Sequence, residues 1–249
     1  MDGPVGGAPD FMRIFGFPIL GLTVGRVHEL KNPTAMHTKS SILILSAMFA
    51  WQMAAGQVAV DSAQIKKEYT RMDEALKDPE KVYRLNLSNQ DVRFSPGFWS
   101  KFTNLQYLSL RNDHLKAVPK EIAELKNLRV LDLGGNDFAV LPAEFSNLSN
   151  LQELYLDGDK NLVLEKNMDV LGRLPKLTSL HLENDNLRML PRSITKLENL
   201  ERLYLNRNNF HSIPRQIKGL KHLQYLDLKD NRIRHHSQTQ DGFGIKVNF

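Results

Sequence analysis

Along residues 82–233 apolar and polar positions recur in one fixed order. The unit that begins at Leu105 has leucines at its first, fourth and sixth positions (Leu105, Leu108, Leu110), Asp113 at its ninth, and Leu115 and Val118 at its eleventh and fourteenth, followed by Pro119. The same order restarts at Val82, Leu128, Leu151, Leu177, Leu200 and Leu223, always at a spacing of 23 residues except for 26 between Leu151 and Leu177. Self-similarity at such a period marks a solenoid, in which each unit buries its apolar face only against its neighbours.

Within a unit the alternation predicts a short strand over positions three to seven, with successive side chains on opposite faces. Positions four and six point inward, and positions three, five and seven point out. Stacking pairs these strands into a parallel sheet whose inward leucines share one core. Burying a leucine contributes on the order of 2 kcal/mol, so a unit gains enough only by stacking. Pro119, Pro142, Pro191 and Pro214 block regular helix and predict short, tight segments on the opposite wall. The unit at Leu151 lacks that proline, and Leu164, Met168 and Leu171 fall at helical spacing, which predicts a longer helix.

Two flanking segments break the order. Ile65, Tyr69, Met72 and Leu76 are spaced by 4, 3 and 4 residues, predicting one amphipathic helix within a capping segment, residues 57–81. Asp61 or Ser62 would start it and Asp78-Pro79 would end it. Beyond Ile233 the tail, residues 234–249, carries no repeat template. Either the last strand edge and leucines such as Leu226 and Leu228 are open, or Phe243, Ile245, Val247 and Phe249 fold back as an alternating cover.

The endings VPKEI, LPAEF, LPRSI and IPRQI resemble the 23-residue class of leucine-rich repeats shared by Ras-suppressor-like proteins and many bacterial repeat proteins, over residues 82–233. The resemblance implies an α/β fold: a right-handed solenoid with a curved parallel sheet on its concave face and short helices and loops on its convex face. It also implies a recognition scaffold without catalytic residues, whose ligand lies on the concave sheet. The ninth position of the class is usually Asn, which donates and accepts along a ladder between repeats. Here it is Asn at Asn136, Asn208 and Asn231, but Gln90, Asp113, Asp159 and Asp185 elsewhere. An ionised Asp only accepts, so those rungs serve a neighbouring N–H and leave a carbonyl without a donor. Water or a loop N–H compensates in one reading, and a bound cation in the other.

The N-terminal residues call for a different treatment. Residues 1–35 are rich in Gly and Pro and are expected to be a disordered leader or an extension upstream of a start at Met36. From Met36, a basic start (His37, Lys39), an apolar run (residues 42–50) and Ala54-Ala55-Gly56 follow the layout of a secretory signal peptide over residues 36–56. The competing reading keeps residues 42–60 as an uncleaved membrane anchor. Secretion or cell-surface placement follows from the first, and membrane contact only through the 36–60 segment from the second.

Composition narrows the chemistry. The chain has 249 residues and no cysteine, which removes thiol nucleophiles, disulfides and cysteine-based metal sites. A net charge of +5 and a pI near 9.3 are modest and spread out, arguing for solubility and against nucleic acid as a partner. Four of the six tyrosines fall at outward strand positions. Tyr and Arg are enriched in binding hot spots. The candidate contact residues are therefore Tyr107, Arg111, Glu153, Tyr155, Asp157, His181, Glu183, Arg202, Tyr204 and Tyr225, facing a protein or peptide ligand. Tyr155, His181 and Tyr204 would hold it, and Asp157, Glu183 and Arg202 would select its charge. His181 between Asp157 and Glu183 suggests acid–base chemistry, but no nucleophile or phosphate loop accompanies it, so no enzyme, cofactor or metal is expected. His235-His236 reads as a solvated pair, and the sequons at Asn86 and Asn147 matter only in a eukaryotic secretory host. Oligomeric state is open, and assembly through an exposed repeat edge is the alternative function.

Overall fold

The computed structural model describes residues 62–91, 93–95, 97–234 and 244–249, all within one unit, residues 59–249. The expectations for residues 1–56, His235-His236 and Phe243 lie outside the described residues. No helix among the described residues is long and apolar enough to cross a membrane.

Among the described residues nine parallel strands form one sheet in chain order. They are β1 (Glu68–Tyr69), β2 (Arg84–Asn86), β3 (Tyr107–Ser109), β4 (Val130–Asp132), β5 (Glu153–Tyr155), β6 (Ser179–His181), β7 (Arg202–Tyr204), β8 (Tyr225–Asp227) and β9 (Lys246–Asn248). Their register puts Leu85, Leu108, Leu131, Leu154, Leu180, Leu203 and Leu226 in one row, with Tyr69 and Val247 at its ends. All seven leucines are fully buried. The leucines of the sixth position, Leu87 to Leu228, form a second buried row.

The strands are shorter than the alternation predicts, covering positions three to five and not three to seven. The cause is the eighth position, which takes positive φ at Asn89, Asn112, Gly135, Gly158, Asn184, Arg207 and Asp230 and turns the chain away. Gly, Asn and Asp tolerate that conformation most readily. Lateral hydrogen bonds still continue past the strand ends, as from Leu110 N to Asp132 O (2.8 Å) and Asn112 N to Gly134 O (2.9 Å).

On the opposite wall the prolines precede single turns of 3₁₀ helix at Lys120–Glu124, Ala143–Asn147, Arg192–Lys196 and Arg215–Gly219. The unit at Leu151 has instead a two-turn α-helix, Leu164–Leu171, which buries Leu164, Met168 and Leu171. Its Asn167 ties it to the preceding repeat by accepting from Leu141 N (2.7 Å) and donating to Ala139 O (3.1 Å).

The N-terminal end differs from the sequence expectation, and the C-terminal end takes the second of its two alternatives. No single helix spans residues 61–80: a helix at Ser62–Lys66 is followed by β1 and then by a helix at Met72–Ala75. Tyr69 joins the buried leucine row opposite Leu85, and this lateral pairing outweighs the helical spacing that left Ile65 and Leu76 exposed. At the other end β9 pairs with β8, so Leu226 and Leu228 are covered, not open. Val247 is buried opposite Leu226, and Ile245 and Phe249 pack on the same core.

Candidate functional site

The outward strand positions form two parallel rows across the sheet. The middle row, from Asn86 through Ser109, Asp132, Tyr155, His181 and Tyr204 to Asp227, is fixed by the strand register. The lateral spacing of neighbouring strands is about 4.8 Å, close to the thickness of a stacked ring pair, so planar side chains at one row position meet face to face. Tyr155 and His181 stack at 3.8 Å between centroids, and His181 and Tyr204 at 4.1 Å with their planes 8° apart. Tyr225 extends the strip, tilted at 5.5 Å from Tyr204. Four aromatic rings thus run unbroken across β5 to β8.

His181 is held on both sides. Its Nε2 lies 3.0 Å from Glu153 and its Nδ1 3.1 Å from Glu183. The sequence expectation set His181 between Asp157 and Glu183; in the structure Glu153, diagonally across on β5, replaces Asp157. A neutral imidazole has one N–H, while an imidazolium donates from both nitrogens, and the geometry suits the latter. Burial lowers the His181 pKa, but the two carboxylates together outweigh it and the net shift is upward. Glu153 shifts downward, chiefly through its bond to His181 and despite burial. It also accepts from Tyr155 Oη (2.9 Å), and burial followed by that carboxylate pushes the Tyr155 phenol up. A charged imidazole between two tyrosine faces adds cation–π attraction.

Because the folded pKa of His181 lies above the 6.5 of a free imidazole, the folded chain binds the proton more tightly. The resulting stabilisation is full below about pH 6.5 and is lost as pH rises through the folded value. An NMR titration of the His181 ring is expected to give a midpoint above 6.5. A midpoint at or below 6.5 would contradict the double carboxylate contact.

Arg111 and Asp157 are spent on each other. Arg111 Nη1 and Nη2 bind both oxygens of Asp157 at 2.8 and 2.6 Å, and its Nε reaches Asp132 at 2.9 Å. Asp157 first, and then Asp132, raise the guanidinium pKa against the opposing effect of burial. The side chain reaches two strands away because Gly134 lies beneath it; a Cβ there would fall 2.7 Å from Nη2. The sequence did single out Arg111 and Asp157, but as contact residues. Asp132 was missed as part of the cluster, and the only available signal was the lone glycine in the seventh-position row.

The other candidates divide by position. Arg202 is exposed on β7, with Glu201 its ion-pair partner at 3.7 Å. Glu183 has one carboxylate oxygen buried without a hydrogen-bond partner among the described residues. Tyr107 stands apart from the aromatic strip and lies under Arg84, 4.1 Å from its ring centroid. Tyr225 donates to Asp227 at 3.2 Å. His181 itself is buried, so a ligand would touch the flanking tyrosines and glutamates before the imidazole. No group of three or more metal-ligating side chains occurs among the described residues.

Residues 81–171 match the family described as leucine-rich repeat region, and residues 175–233 the family described as leucine rich repeat. No curated protein matches the chain. Among solved structures, a Leptospira interrogans LRR protein is 27% identical, with a TM-score of 0.47, covering 73% of this chain and 58% of its own. A chain of the Drosophila Toll–Spatzle complex is 20% identical at a TM-score of 0.54, covering 61% of this chain and 20% of its own. A chain of a TLR13–ssRNA13 complex is 22% identical at 0.50, covering 67% and 29% respectively. This chain spans less than two thirds of the length of each, and at these identities the Toll–Spatzle and TLR13 matches show the fold alone.

Proposed function

We propose that the leucine-rich repeat solenoid of this chain is a non-enzymatic recognition module that binds a protein or peptide on the outward face of β5 to β8. The observation that carries this reading is the unbroken strip Tyr155–His181–Tyr204–Tyr225. Stacked rings are already ordered, so contact with them loses little side-chain entropy. The tyrosines keep part of their surface accessible, and Glu153, Glu183 and Arg202 flank them with both signs of charge. Nucleic acid would call for a cationic track along which phosphates are neutralised. Here the central charges are four carboxylates, Asp132, Glu153, Asp157 and Glu183, with Arg111 and His181 already engaged by them, which favours a peptide surface.

Secretion or cell-surface display belongs to the same proposal and rests on the signal-like residues 36–56. Membrane anchoring through residues 42–60 is its alternative, and N-terminal sequencing of the mature protein separates the two. Assembly through the repeat edge, the other reading, has less support once β9 covers Leu226 and Leu228.

The test is capture of partners by the immobilised chain, compared with a Tyr155→Ala/Tyr204→Ala double variant. Truncating two hot-spot tyrosines is expected to cost about 2–4 kcal/mol or more of binding, enough to abolish capture of a micromolar partner. Circular dichroism should meanwhile show the fold intact. Equal capture by both proteins would refute the assignment of this face.

A further inference from the structure

Beneath the outward face runs the file of ninth-position residues, and its members use one oxygen in the same way. Oδ1 of Asp113 accepts from Gln90 N (2.8 Å), Asn136 from Asp113 N (3.1 Å), Asp159 from Asn136 N (2.5 Å), Asp185 from Asp159 N (2.9 Å) and Asn208 from Asp185 N (3.0 Å). They differ in the second terminal atom. Asn136 Nδ2 donates to the carbonyls of Leu110 (2.9 Å) and Leu133 (2.6 Å). Asn208 Nδ2 donates to those of Leu182 (2.7 Å) and Leu205 (3.0 Å). The amide therefore links the sixth-position carbonyl of its own unit to that of the unit before.

At Asp113, Asp159 and Asp185 an oxygen stands where those amides stand. All three Oδ2 atoms are buried and have no hydrogen-bond partner among the described residues. By register the equivalent carbonyls are those of Leu133 and Leu156 for Asp159, and of Leu156 and Leu182 for Asp185. An ionised carboxylate would turn buried lone pairs toward carbonyl lone pairs, which is costly. A protonated one becomes a donor.

We infer that Asp159 and Asp185, with Asp113 as a third member, are held as neutral carboxylic acids in the folded chain, each donating its Oδ2 proton to strand-end carbonyls that asparagine amides serve in the neighbouring repeats. The surrounding charges agree. Asp159 faces Asp185 and Asp157, with Arg111 opposing; Asp185 faces Asp157 and Glu183. Asp91 lies near Asp113. Lys160 and Arg207 line the surface groove that reaches Asp185. Burial, above the neighbouring carboxylates, pushes Asp159 up to about 8 and Asp185 up to about 7.

The solenoid is then a pH-sensitive array. An unfolded aspartate has a pKa of about 3.9, so the folded chain holds more protons across the interval above it. The contribution of each acid is full below about pH 4. It is lost progressively as pH rises, through about 7 for Asp185 and about 8 for Asp159. Within that window each pH unit lowers the folding equilibrium up to tenfold per acid. The affected rungs belong to the same repeats as Tyr155 and His181.

The test compares the full chain with an Asp159→Asn/Asp185→Asn double variant, whose new residues are those the other rungs already carry. The wild-type melting temperature is expected to fall by several degrees between pH 5 and pH 8. The variant should lose most of that fall and melt higher at pH 8. His181 is unchanged in both proteins, so the difference isolates the acids. An unchanged pH slope, or a variant that melts lower at pH 8, overturns the inference. Carbon-13 NMR of the two carboxyls reads the same point directly: midpoints above 6 support it, and midpoints below 5 overturn it. If calcium at pH 8 raises the wild-type melting temperature to that of the variant, a cation and not a proton bridges the oxygens, and the inference also fails.

Discussion

Leu154→Ala is expected to destabilise the chain by about 3–4 kcal/mol, within the range of roughly 2–5 kcal/mol found for leucine truncation in well-packed cores. Leu154 is fully buried at the centre of the leucine row, between Leu131 and Leu180. Its removal opens a cavity facing two repeats at once. In a solenoid each unit is stable only through its neighbours, so a weakened interface in the middle splits the array instead of fraying an end. Chemical denaturation should show a lower midpoint, with a second transition if the halves separate. Val130→Ala, at the half-buried outward third position of the neighbouring unit, is the matched control and should cost under about 1 kcal/mol. If both variants lose the same stability, the inward leucines are not the principal core.

Asn136→Leu is expected to cost about as much, roughly 3–4 kcal/mol, although the branching of the side chain is kept. Asn136 is buried, and its Oδ1 accepts from the N–H groups of Asp113 and Leu115 while Nδ2 donates to the carbonyls of Leu110 and Leu133. Replacement by leucine strands four backbone groups in the interior, each costing on the order of 1–3 kcal/mol before relaxation. Some of them will find water, which keeps the total well below the sum. The control is Asn127→Ala, which removes an exposed bond to Thr103 O (2.8 Å) and should cost under about 1 kcal/mol. Equal losses in thermal melts of the two variants would show that the ladder is not a principal link between repeats.

The repeats were legible because their signal is redundant. Seven units each place apolar residues at the same positions, and the 26-residue unit declared its longer helix through Leu164, Met168 and Leu171. Strand length was not legible, since alternation continues through position seven while positive φ at position eight already bends the chain. The N-terminal cap was misread for a related reason. A two-residue strand carries no period of its own, and Tyr69 satisfied a helical spacing while belonging to the leucine row.

The outward face was legible as a set of residues but not as a set of contacts. Strand register follows from the repeat, so the Tyr155–His181–Tyr204 row was available from counting alone. Which carboxylate His181 selects depends on reach and competition. Arg111 takes Asp157 with two bonds, and Glu153 is left for the imidazole. Neither outcome is encoded in spacing, because each depends on side-chain lengths measured across strands and on the empty space above a glycine.

That glycine has a wider effect. With Arg111 lying over Gly134 and joined to Asp132 and Asp157, a single guanidinium works as a tie rod between β3 and β5, and it offsets one of the two negative charges it fastens. One half of the face is thereby partly neutralised and braced against bending, while the half from β5 onward presents rings with Glu153 and Glu183 gathered about one imidazole. An incoming molecule would meet a surface with a built-in direction, and any residue larger than glycine at position 134 would erase that asymmetry by evicting the arginine.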